Sequence, residues 1–392
     1  MRVIHVVQSL DPKLGGPPIV VSQLASAQAR LGIDVAIVTG DGGLNLEGAE
    51  PALGMDICSG RLPVRTTDIS PGIPGFLDKG FVRFMEPMAT QGTLFHLHGV
   101  WEPMLKLSSG IARKSYIPYV VAPHGMLDGW SLQTKTWKKR LALALGYRAM
   151  LNEASFLHAL NENEVTQVGL LGIKARAEII PNGINVDGLM ATDATSSEST
   201  RTAPYILFLG RLHFKKGLDY LAEAFDIVAR RCPEAKLVVA GPDYGEKASF
   251  EQRISTLGLS DRVELVGAVL GEKKLDLIRQ ARCFCLPSRS EGFSIAALEA
   301  MACGTPVVLS TSCYFPEVAK AGAGYVVELD AREIATALSQ LMEDKERAKA
   351  MGVAARNLVE QKYTWPEIAM RSIRCYEEVF RNNLKNRTVL VR

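Results

Sequence analysis

Two glutamates beside a predicted helix start are the residues of this 392-residue sequence that most clearly indicate ligand chemistry. Glu291 lies in a polar turn after an apolar strand, and Glu299 follows eight residues later inside a predicted helix. The first turn of a helix carries N–H groups without partners and about half a positive charge. We therefore expect a phosphate over the backbone of Gly292 and Phe293.

Glu299 itself is expected to contact neutral hydroxyl groups. Nearly all of its neighbours in the predicted helix are apolar, so its carboxylate should be largely buried and should need hydrogen-bond partners. A carboxylate repels phosphate oxygens, whereas the hydroxyls of a sugar or ribose can donate to it. The alternative is that Glu291 only caps the helix and that Glu299 is an ordinary solvated position.

Two basic residues follow the first predicted strand of the same half, in the segment GRLHFKKG. Arg211 comes directly after Gly210 at the strand end, and Lys216 precedes a helix that starts near Gly217. A guanidinium can contact two phosphate oxygens at once, and an ammonium adds a compact charge. Such pairs in loops are commonly only solvated, but together with the two glutamates they predict an anion site.

Glycines and histidines end predicted strands in the N-terminal half. Gly15 and Gly16 follow the first strand and would let a ligand approach the backbone. His98 and Trp101 follow the strand TLFHLHG, and His124 follows YVVAPHG. Ligands bind at the carboxyl ends of parallel strands, so we predict that these are site residues, with His98 and Trp101 on the acceptor side; structural roles are the alternative.

Composition and charge limit the class of protein. With 47% hydrophobic and 22% charged residues, the chain has the balance of a soluble globular enzyme, and its length suggests two domains. The net charge of +3 gives no indication of nucleic-acid binding. The seven cysteines show no C-x-x-C spacing, no apolar run is long enough to span a bilayer, and Met1 leads directly into a strand. We therefore expect a cytoplasmic protein.

Strands and helices alternate in both halves, which predicts an α/β fold of two doubly wound sheets facing a shared cleft. We expect an N-terminal domain over residues 1–186, a Ser/Thr-rich linker over 187–203 and a C-terminal domain over 204–364. The C-terminal domain should contain six strands, with helices near 216–230, 247–257, 271–281, 294–303 and 331–342.

Residues 134–152 read as one basic, amphipathic helix with Lys138, Lys139, Arg140 and Arg148 beside Trp137 and several leucines. One interpretation is an ordinary helix with one face in the core. The other is docking on an anionic membrane surface that carries a lipid-linked acceptor.

Several of these motifs together resemble the family-4 retaining glycosyltransferases, also called group 1. Glu291, GFSIAAL and Glu299 match the E-x7-E signature, and GRLHFKKG matches the family's phosphate loop. The Gly15–Gly16 loop, IPNGIN and FPEV also fit the family's pattern, which covers the chain to about Phe380. The resemblance implies the GT-B fold, two Rossmann-like domains with the nucleotide sugar held mainly by the second. It also implies that a helix over residues 365–385 crosses back to the first domain.

The resemblance also implies roles for individual residues. Arg211 and Lys216 would hold the donor diphosphate and neutralise the leaving group, Glu299 would bind the ribose, and His124 would lie near the C6 hydroxyl of the donor sugar. The implied catalytic residues are His124, Arg211, Lys216 and Glu291. Glu291 and the backbone of three neighbours would meet the sugar and its phosphate; the neighbours are Gly292, Phe293 and Ser294. The nucleotide sugar is a co-substrate, and no metal or other cofactor is expected, because the sequence contains no D-x-D triplet.

The expected function is transfer of a hexose from a UDP- or GDP-sugar to a glycan or lipid-linked acceptor, in bacterial surface polysaccharide or lipopolysaccharide synthesis. The protein would then be cytoplasmic or peripheral at the cytoplasmic face of the membrane. The alternatives are a GT-B-like nucleotide-sugar epimerase, a small-molecule glycoside synthase and a non-catalytic nucleotide-sugar-binding protein. Cys313, Tyr314 and Phe315 replace the Gly-Gly that often precedes PEV in the family, which leaves the donor sugar open.

Overall fold

A computed structural model describes residues 1–11, 16–40, 62–66, 79–129, 136–186, 189 and 203–390 of the chain. The chain divides into two compact units, each with its own core. The N-terminal unit comprises Met1–Gly183 together with the chain from Trp365 onward, and the C-terminal unit comprises Ile184–Thr364. The residues predicted as a linker, 187–203, lie almost entirely outside the described ranges.

The N-terminal unit contains a parallel sheet with the strand order β3-β2-β1-β4-β5-β6-β7. Its strands are β1 (Arg2–Val7), β2 (Asp34–Thr39), β3 (Val64–Thr66), β4 (Thr93–His98), β5 (Tyr119–Ala122), β6 (Phe156–Ala159) and β7 (Ala177–Ile179). The strands β1 and β2 are rich in β-branched residues, and β1, β2 and β4 are largely buried, as parallel strands between helices usually are. The reversal of strand order between β1 and β4 is the switch point at which such sheets bind ligands.

The helices of this unit are α1 (Gly16–Arg30), α2 (Lys79–Met85), α3 (Pro103–Lys114), α4 (Thr136–Ala142), α5 (Arg148–Asn152) and α6 (Glu162–Leu170). The C-terminal helix, Trp365–Leu390, also belongs to this unit and packs against α1. Side chains of β1 and β4 alternate between the two faces of the sheet. Val3 and Leu94 face α1 and the C-terminal helix, whereas Ile4 and Phe95 join the core on the other face.

The C-terminal unit contains a six-stranded parallel sheet in the order β10-β9-β8-β11-β12-β13. Its strands are β8 (Tyr205–Leu209), β9 (Lys236–Ala240), β10 (Val263–Gly267), β11 (Cys283–Leu286), β12 (Val307–Ser310) and β13 (Gly324–Val327). The helices are α7 (Leu218–Arg231), α8 (Lys247–Thr256), α9 (Gly271–Arg279), α10 (Ile295–Ala302), α11 (Glu317–Lys320), α12 (Ala331–Glu343) and α13 (Lys345–Lys362). The C-terminal helix of the other unit is α14. The switch point of this sheet lies between β8 and β11.

The doubly wound fold and the six strands and five helices predicted for the second half are confirmed. The prediction of one continuous helix over 134–152 is wrong. The helix α4 passes into a π-helical segment, Leu143–Tyr147, where Leu145 and Gly146 leave helical geometry before α5 begins. Gly146 has a φ of +106°, in the left-handed region that glycine adopts most readily, so the chain turns there.

None of the helices among the described residues combines the length and the apolar composition that crossing a bilayer would require.

Candidate active site

The predicted phosphate-binding residues lie in two loops that leave neighbouring strands of the C-terminal sheet. One loop follows β8 and contains the 3-10 turn Phe214–Lys216, and the other follows β11 and leads into α10. Since β8 and β11 pair directly at the switch point, their carboxyl ends bring the two loops together. Gly217 shows how tightly they pack, because it has a φ of +67° and an added Cβ would lie 1.9 Å from the carbonyl oxygen of Pro287.

Lys216 and Glu291 form a largely buried ion pair that joins the two loops. The Lys216 ammonium donates to Oε1 of Glu291, which also accepts a hydrogen bond of 2.8 Å from Ser288 Oγ. The two side chains are only 18% and 11% exposed. The contact places a positive charge near the start of α10, as the sequence predicted. It also shows that Glu291 holds the lysine and does not cap the helix.

The start of α10 presents amide groups beside this lysine. Ser294 is the N-cap, and its Oγ accepts a hydrogen bond from the amide of Ala297. The amides of Ser294, Ile295 and Ala296 make no hydrogen bond with another described residue. Free amides at a helix start, next to an ammonium, form an arrangement that can bind a phosphate.

Glu299 lies one turn further along α10 and has a partner that the sequence did not indicate. Its Oε1 accepts a hydrogen bond of 2.6 Å from Lys274 Nζ on α9. The two side chains are 16% and 23% exposed, so the pair is mostly shielded but reachable. The sequence prediction that Glu299 is largely buried and needs partners is confirmed. Lys274 was missed because nothing in the sequence relates α9 to α10.

Arg289 is a second residue that sequence reasoning missed. Its guanidinium binds both carboxylate oxygens of Asp219, at 2.9 and 2.6 Å, and lies 4.0 Å from the ring centre of Phe214. Its amide donates to the carbonyl of Lys215 at 2.7 Å. Arg289 therefore fastens the turn that carries Lys216 to the loop before α10.

Arg211 does not join the cluster of Lys216 and Glu291. Its side chain is exposed, and its guanidinium lies 5.2 Å from the ring centre of Tyr244. Phe293 packs on Phe315 and Tyr363, at 5.0 and 5.8 Å between ring centres, so its ring belongs to an aromatic cluster. The backbone of Phe293 is therefore the part that a ligand can contact, as we expected for Phe293 and Gly292.

In the N-terminal unit, His98 lies behind His124 instead of at the surface. His98 is 3% exposed, and its two ring nitrogens are hydrogen-bonded to His5 at 2.8 Å and to His124 at 2.9 Å. No nitrogen of His98 is left for an acceptor substrate. His124 is half-buried, has a φ of +52°, and lies just beyond the end of β5. Of the two predicted histidines, His124 is the one that a ligand can reach.

A buried carboxylate holds the loop of His124. Glu164, in the first turn of α6, accepts hydrogen bonds from the amides of Gly125 at 2.6 Å and Leu160 at 2.7 Å. Its own amide donates to Asn161, the N-cap, at 2.9 Å. Burial raises the pKa of Glu164, and the two amides that donate to it oppose this shift. Glu164 thus connects the start of α6 to the loop of His124 and holds that loop in place.

The other predicted site residues of this unit are Trp101, Gly15 and Gly16. Trp101 is half-buried, with Lys139 Nζ 5.6 Å from its ring centre and its carbonyl accepting from Tyr147. Gly16 is the exposed first residue of α1. Gly15 lies outside the described residues.

The described residues include one group of side chains that could hold a metal ion: His5, His96 and His98. Their candidate ligand nitrogens lie within 4.8 Å of one another, and all three residues are buried. All six ring nitrogens of the group already take part in hydrogen bonds. A metal would have to displace several of these bonds.

Comparison with known families gives two matches that together cover most of the chain. Residues 191–358 match the family model "Glycosyl transferases group 1", and residues 15–183 match "Glycosyl transferase 4-like domain". The boundary between the two matches falls near the boundary between the two compact units.

Among curated proteins, the chain is 28% identical to the GDP-mannose:cellobiosyl-diphosphopolyprenol alpha-mannosyltransferase of Xanthomonas oryzae pv. oryzae (strain PXO99A), over 96% of this chain and 97% of that protein. It is 31% identical to the GDP-mannose-dependent alpha-(1-6)-phosphatidylinositol monomannoside mannosyltransferase of Mycolicibacterium smegmatis, over 67% of this chain and 70% of that protein.

Among solved structures, the chain is similar to Anabaena Alr3699/HepE in complex with UDP and glucose. The TM-score is 0.75 at 20% identity, over 96% of this chain and 100% of that one. It is also similar to sucrose-phosphate synthase from Thermosynechococcus elongatus, with a TM-score of 0.71 at 22% identity, over 97% and 99% of the two chains. These likenesses concern the fold, and they confirm the predicted GT-B fold class.

Proposed function

The chain belongs to the group 1 glycosyltransferases, and we propose that it transfers a hexose from a nucleoside diphosphate sugar to a lipid-linked glycan. The observation that carries the donor assignment is the meeting of Lys216, Glu291 and the start of α10 at the switch point of the C-terminal sheet. A compact positive charge beside free helix amides suits a diphosphate. The diphosphate is the part that all nucleoside diphosphate sugars share.

In this proposal, the donor lies along α10. Its β-phosphate accepts hydrogen bonds from Lys216 and from the amides of Ser294 and Ile295. One turn further on, the carboxylate of Glu299 accepts hydrogen bonds from the ribose hydroxyls, and the hydrogen bond from Lys274 orients this carboxylate. Arg211, on a flexible stem beside Tyr244, moves onto the phosphates when the donor binds.

Breaking the bond between sugar and diphosphate builds negative charge on the β-phosphate. Lys216 and the helix amides stabilise this charge more in the transition state than in the ground state, which is how they accelerate departure of the nucleotide. The leaving phosphate can take the proton of the acceptor hydroxyl on the same face of the sugar, which retains the anomeric configuration. Protein groups supply the positive charge in this scheme, so transfer is expected to proceed in the presence of EDTA.

GDP-mannose is the donor that we propose to test first. The relatives from Xanthomonas and Mycolicibacterium are both named as using GDP-mannose. Their named acceptors, cellobiosyl-diphosphopolyprenol and phosphatidylinositol monomannoside, both carry a lipid, which supports a lipid-linked acceptor here.

A thermal-shift screen of GDP, UDP and ADP with their sugars tests this assignment. A ligand at a hundred times its dissociation constant adds about 2.7 kcal/mol to the free energy of unfolding, so the correct nucleotide should stand out. Product analysis with the selected donor follows, with and without a lipid-diphosphate oligosaccharide. A new glycolipid supports the proposal, whereas a changed sugar nucleotide formed from donor alone would indicate an epimerase.

We also propose that the segment from Trp137 to Leu145 contacts an anionic membrane surface. Trp137, Leu141 and Leu145 are 66%, 50% and 61% exposed. Exposed Lys138 and Arg140 lie between these apolar side chains. A short basic stretch with exposed apolar groups binds the lipid interface by inserting those groups while its charges meet anionic headgroups.

Liposome co-sedimentation tests this contact. The wild type should bind vesicles that contain anionic lipid and should bind neutral vesicles far less. Trp137→Ser combined with Leu141→Ser should reduce binding, whereas Val353→Ser, which removes a side chain that is 56% exposed in the other unit, should not. Equal binding by all three proteins would exclude this segment as the contact.

A further inference from the structure

Five of the six histidines of the sequence lie in one hydrogen-bonded network in the N-terminal unit. The histidine network consists of His5, His96, His98, His124 and His158, with Gln28, Ser372 and Tyr376 connecting the rings. Apart from His124, every member is at most 3% exposed. The strands β1, β4 and β6 supply the buried histidines, and α1 and α14 supply the connecting side chains. A continuous chain of hydrogen bonds therefore connects the C-terminal helix to His124, just beyond the end of β5.

The direction of each hydrogen bond can be worked out, because a neutral imidazole has one donor and one acceptor nitrogen. The network begins at the carbonyl of Ile180, which can only accept. His158 Nε2 lies 2.7 Å from it and must donate, so His158 Nδ1 must accept from His96 Nε2 at 3.2 Å. His96 Nδ1 then accepts from the hydroxyl of Tyr376 at 2.8 Å.

A second anchor fixes the other arm independently. Ser372 donates its hydroxyl proton to the carbonyl of Ala369 at 2.8 Å, so its oxygen accepts from Gln28 Nε2, also at 2.8 Å. This orients the amide, so that Gln28 Oε1 accepts from His5 Nε2 at 2.8 Å. Gln28 Nε2 also lies 3.2 Å from the hydroxyl of Tyr376, which accepts there while donating to His96, so the two arms agree.

The same reasoning gives the direction of the hydrogen bonds from His5 through His98 to His124. His5 Nδ1 accepts from His98 Nε2 at 2.8 Å, and His98 Nδ1 accepts from His124 Nε2 at 2.9 Å. His124 Nδ1 makes no hydrogen bond with another described residue. We infer that the network fixes His124 as the Nε2–H tautomer, with Nδ1 an obligate hydrogen-bond acceptor, and that Gln28, His5 and His98 are positioning residues for it.

The inference requires neutral rings, and burial provides them. Loss of water around the rings lowers the pKa of His5 and His158 to about 4 and that of His124 to about 3. It lowers the pKa of His96 and His98 as well, and the neighbouring rings add to this effect. Within the network, no carboxylate is available to stabilise an imidazolium.

The consequence for the reaction rests on the proposed function. An acceptor nitrogen that cannot become a donor selects a ligand that offers a hydroxyl at that point, such as a sugar hydroxyl. A ligand with only an acceptor there would face an unpaired buried lone pair, which disfavours binding. His124 is thus expected to discriminate hydroxyl-bearing sugars from analogues that lack the group.

NMR of the protein with ring-15N-labelled histidine tests the tautomer directly, because protonated and unprotonated ring nitrogens have different shifts. With six histidines, signals can be assigned by single substitutions. At pH near 7 we expect all five network histidines as Nε2–H tautomers. An Nδ1–H or mixed signal for wild-type His124, or rings that ligate a metal found in the purified protein at one ion per chain, would overturn the inference.

Two variants separate positioning from simple packing. Gln28→Met removes the acceptor of His5 Nε2 and so frees His5, His98 and His124 to adopt either tautomer. Tyr376→Phe removes two buried hydrogen bonds of the same core, to His96 and from Gln28, but leaves both anchors in place. We expect the tautomer ratio of His124 to fall by about tenfold in Gln28→Met, the effect of losing one hydrogen bond, and to stay unchanged in Tyr376→Phe. Equal effects in the two variants would overturn the inference.

Kinetics then connect the network to the reaction. Gln28→Met should raise the KM for the substrate whose sugar hydroxyl donates to His124, while the affinity for the free nucleotide, which is proposed to bind in the C-terminal unit, stays as in the wild type. A fixed tautomer in a protein that transfers no sugar would refute the proposed function and leave the network intact. A mixed tautomer of His124 in an enzyme that transfers sugar would overturn the inference about the network and leave the proposed function intact.

Discussion

Replacing Lys216 by methionine is expected to lower kcat/KM for the nucleotide sugar by about 10²–10³. The Lys216 and Glu291 side chains are 18% and 11% exposed, so the lysine acts in a setting that is largely shielded from water. Two unit charges about 4 Å apart interact by about 4 kcal/mol at an effective dielectric constant of about 20. Only charge that develops during bond cleavage raises kcat, and loss of one such donor typically costs about 2.7–4 kcal/mol.

The assay is initial-rate transfer from the donor identified by thermal shift, over a range of donor concentrations. Lys215→Met is the matched control, because it removes the same charge from the neighbouring position of the same 3-10 turn. Since the loss of Lys216 leaves the Glu291 carboxylate with Ser288 as its one hydrogen-bond partner among the described residues, the variant is also expected to be less stable. The double variant Lys216→Met with Glu291→Gln separates the two effects, because it removes the uncompensated charge. A rate for Lys216→Met within about fivefold of that for Lys215→Met would refute the assignment of this lysine to the leaving phosphate.

Three further predictions concern the ribose contact, the loop packing and the buried histidines. Glu299→Gln should raise the donor KM about 10- to 100-fold with a smaller effect on kcat, because a charge-assisted hydrogen bond contributes about 1.5–3 kcal/mol. An unchanged donor KM would count against the contact between Glu299 and the ribose. Gly217→Ala should lower the free energy of unfolding by more than about 2 kcal/mol in denaturant titrations. The added Cβ would overlap the carbonyl of Pro287, and Gly217 has a φ of +67° that alanine adopts poorly. A change below about 0.5 kcal/mol would contradict the packing. Each of the four fully buried histidines has a folded-state pKa below the ordinary value of 6.5, so the unfolded chain binds more protons near pH 6. The free energy of unfolding should therefore rise between pH 6 and pH 7, by about 0.7 kcal/mol per histidine and about 3 kcal/mol in total. Equal free energies of unfolding at the two pH values would contradict neutral buried rings.

The sequence was sufficient to predict the fold and to place the loops of Lys216 and Glu291 on the C-terminal sheet. Strand and helix periods in the C-terminal half were regular, and glycines marked the ends of β8, β9 and β10, so these elements could be bounded closely. Because parallel strands deliver their carboxyl ends to one edge, Lys216 and Glu291 could be brought together from their positions after β8 and β11.

The partners of these residues could not be predicted in the same way. Lys274 and Arg289 act through side chains that meet elements distant in sequence, and no local pattern encodes such contacts. Arg211 belongs to the matched motif, yet its side chain lies on Tyr244, because a motif gives a position and not a rotamer.

The buried histidines could have been recognised, but not their network. His5, His96 and His98 alternate on two predicted strands, so one face of the sheet could have been assigned to them. The register of β1 on β4, which pairs His5 with His96, and the approach of Gln28 and Tyr376 from two helices become visible only in the folded chain. His98 was therefore predicted as a ligand contact, whereas it is a buried link.

A crystal structure with the nucleoside diphosphate that the thermal-shift screen selects is the measurement that most directly tests how the donor binds. The account predicts the β-phosphate within hydrogen-bond distance of Lys216 Nζ and of the amides of Ser294 and Ile295, and a ribose hydroxyl on Glu299. A diphosphate bound elsewhere on the C-terminal sheet, with Lys216 still turned to Glu291 alone, would contradict it.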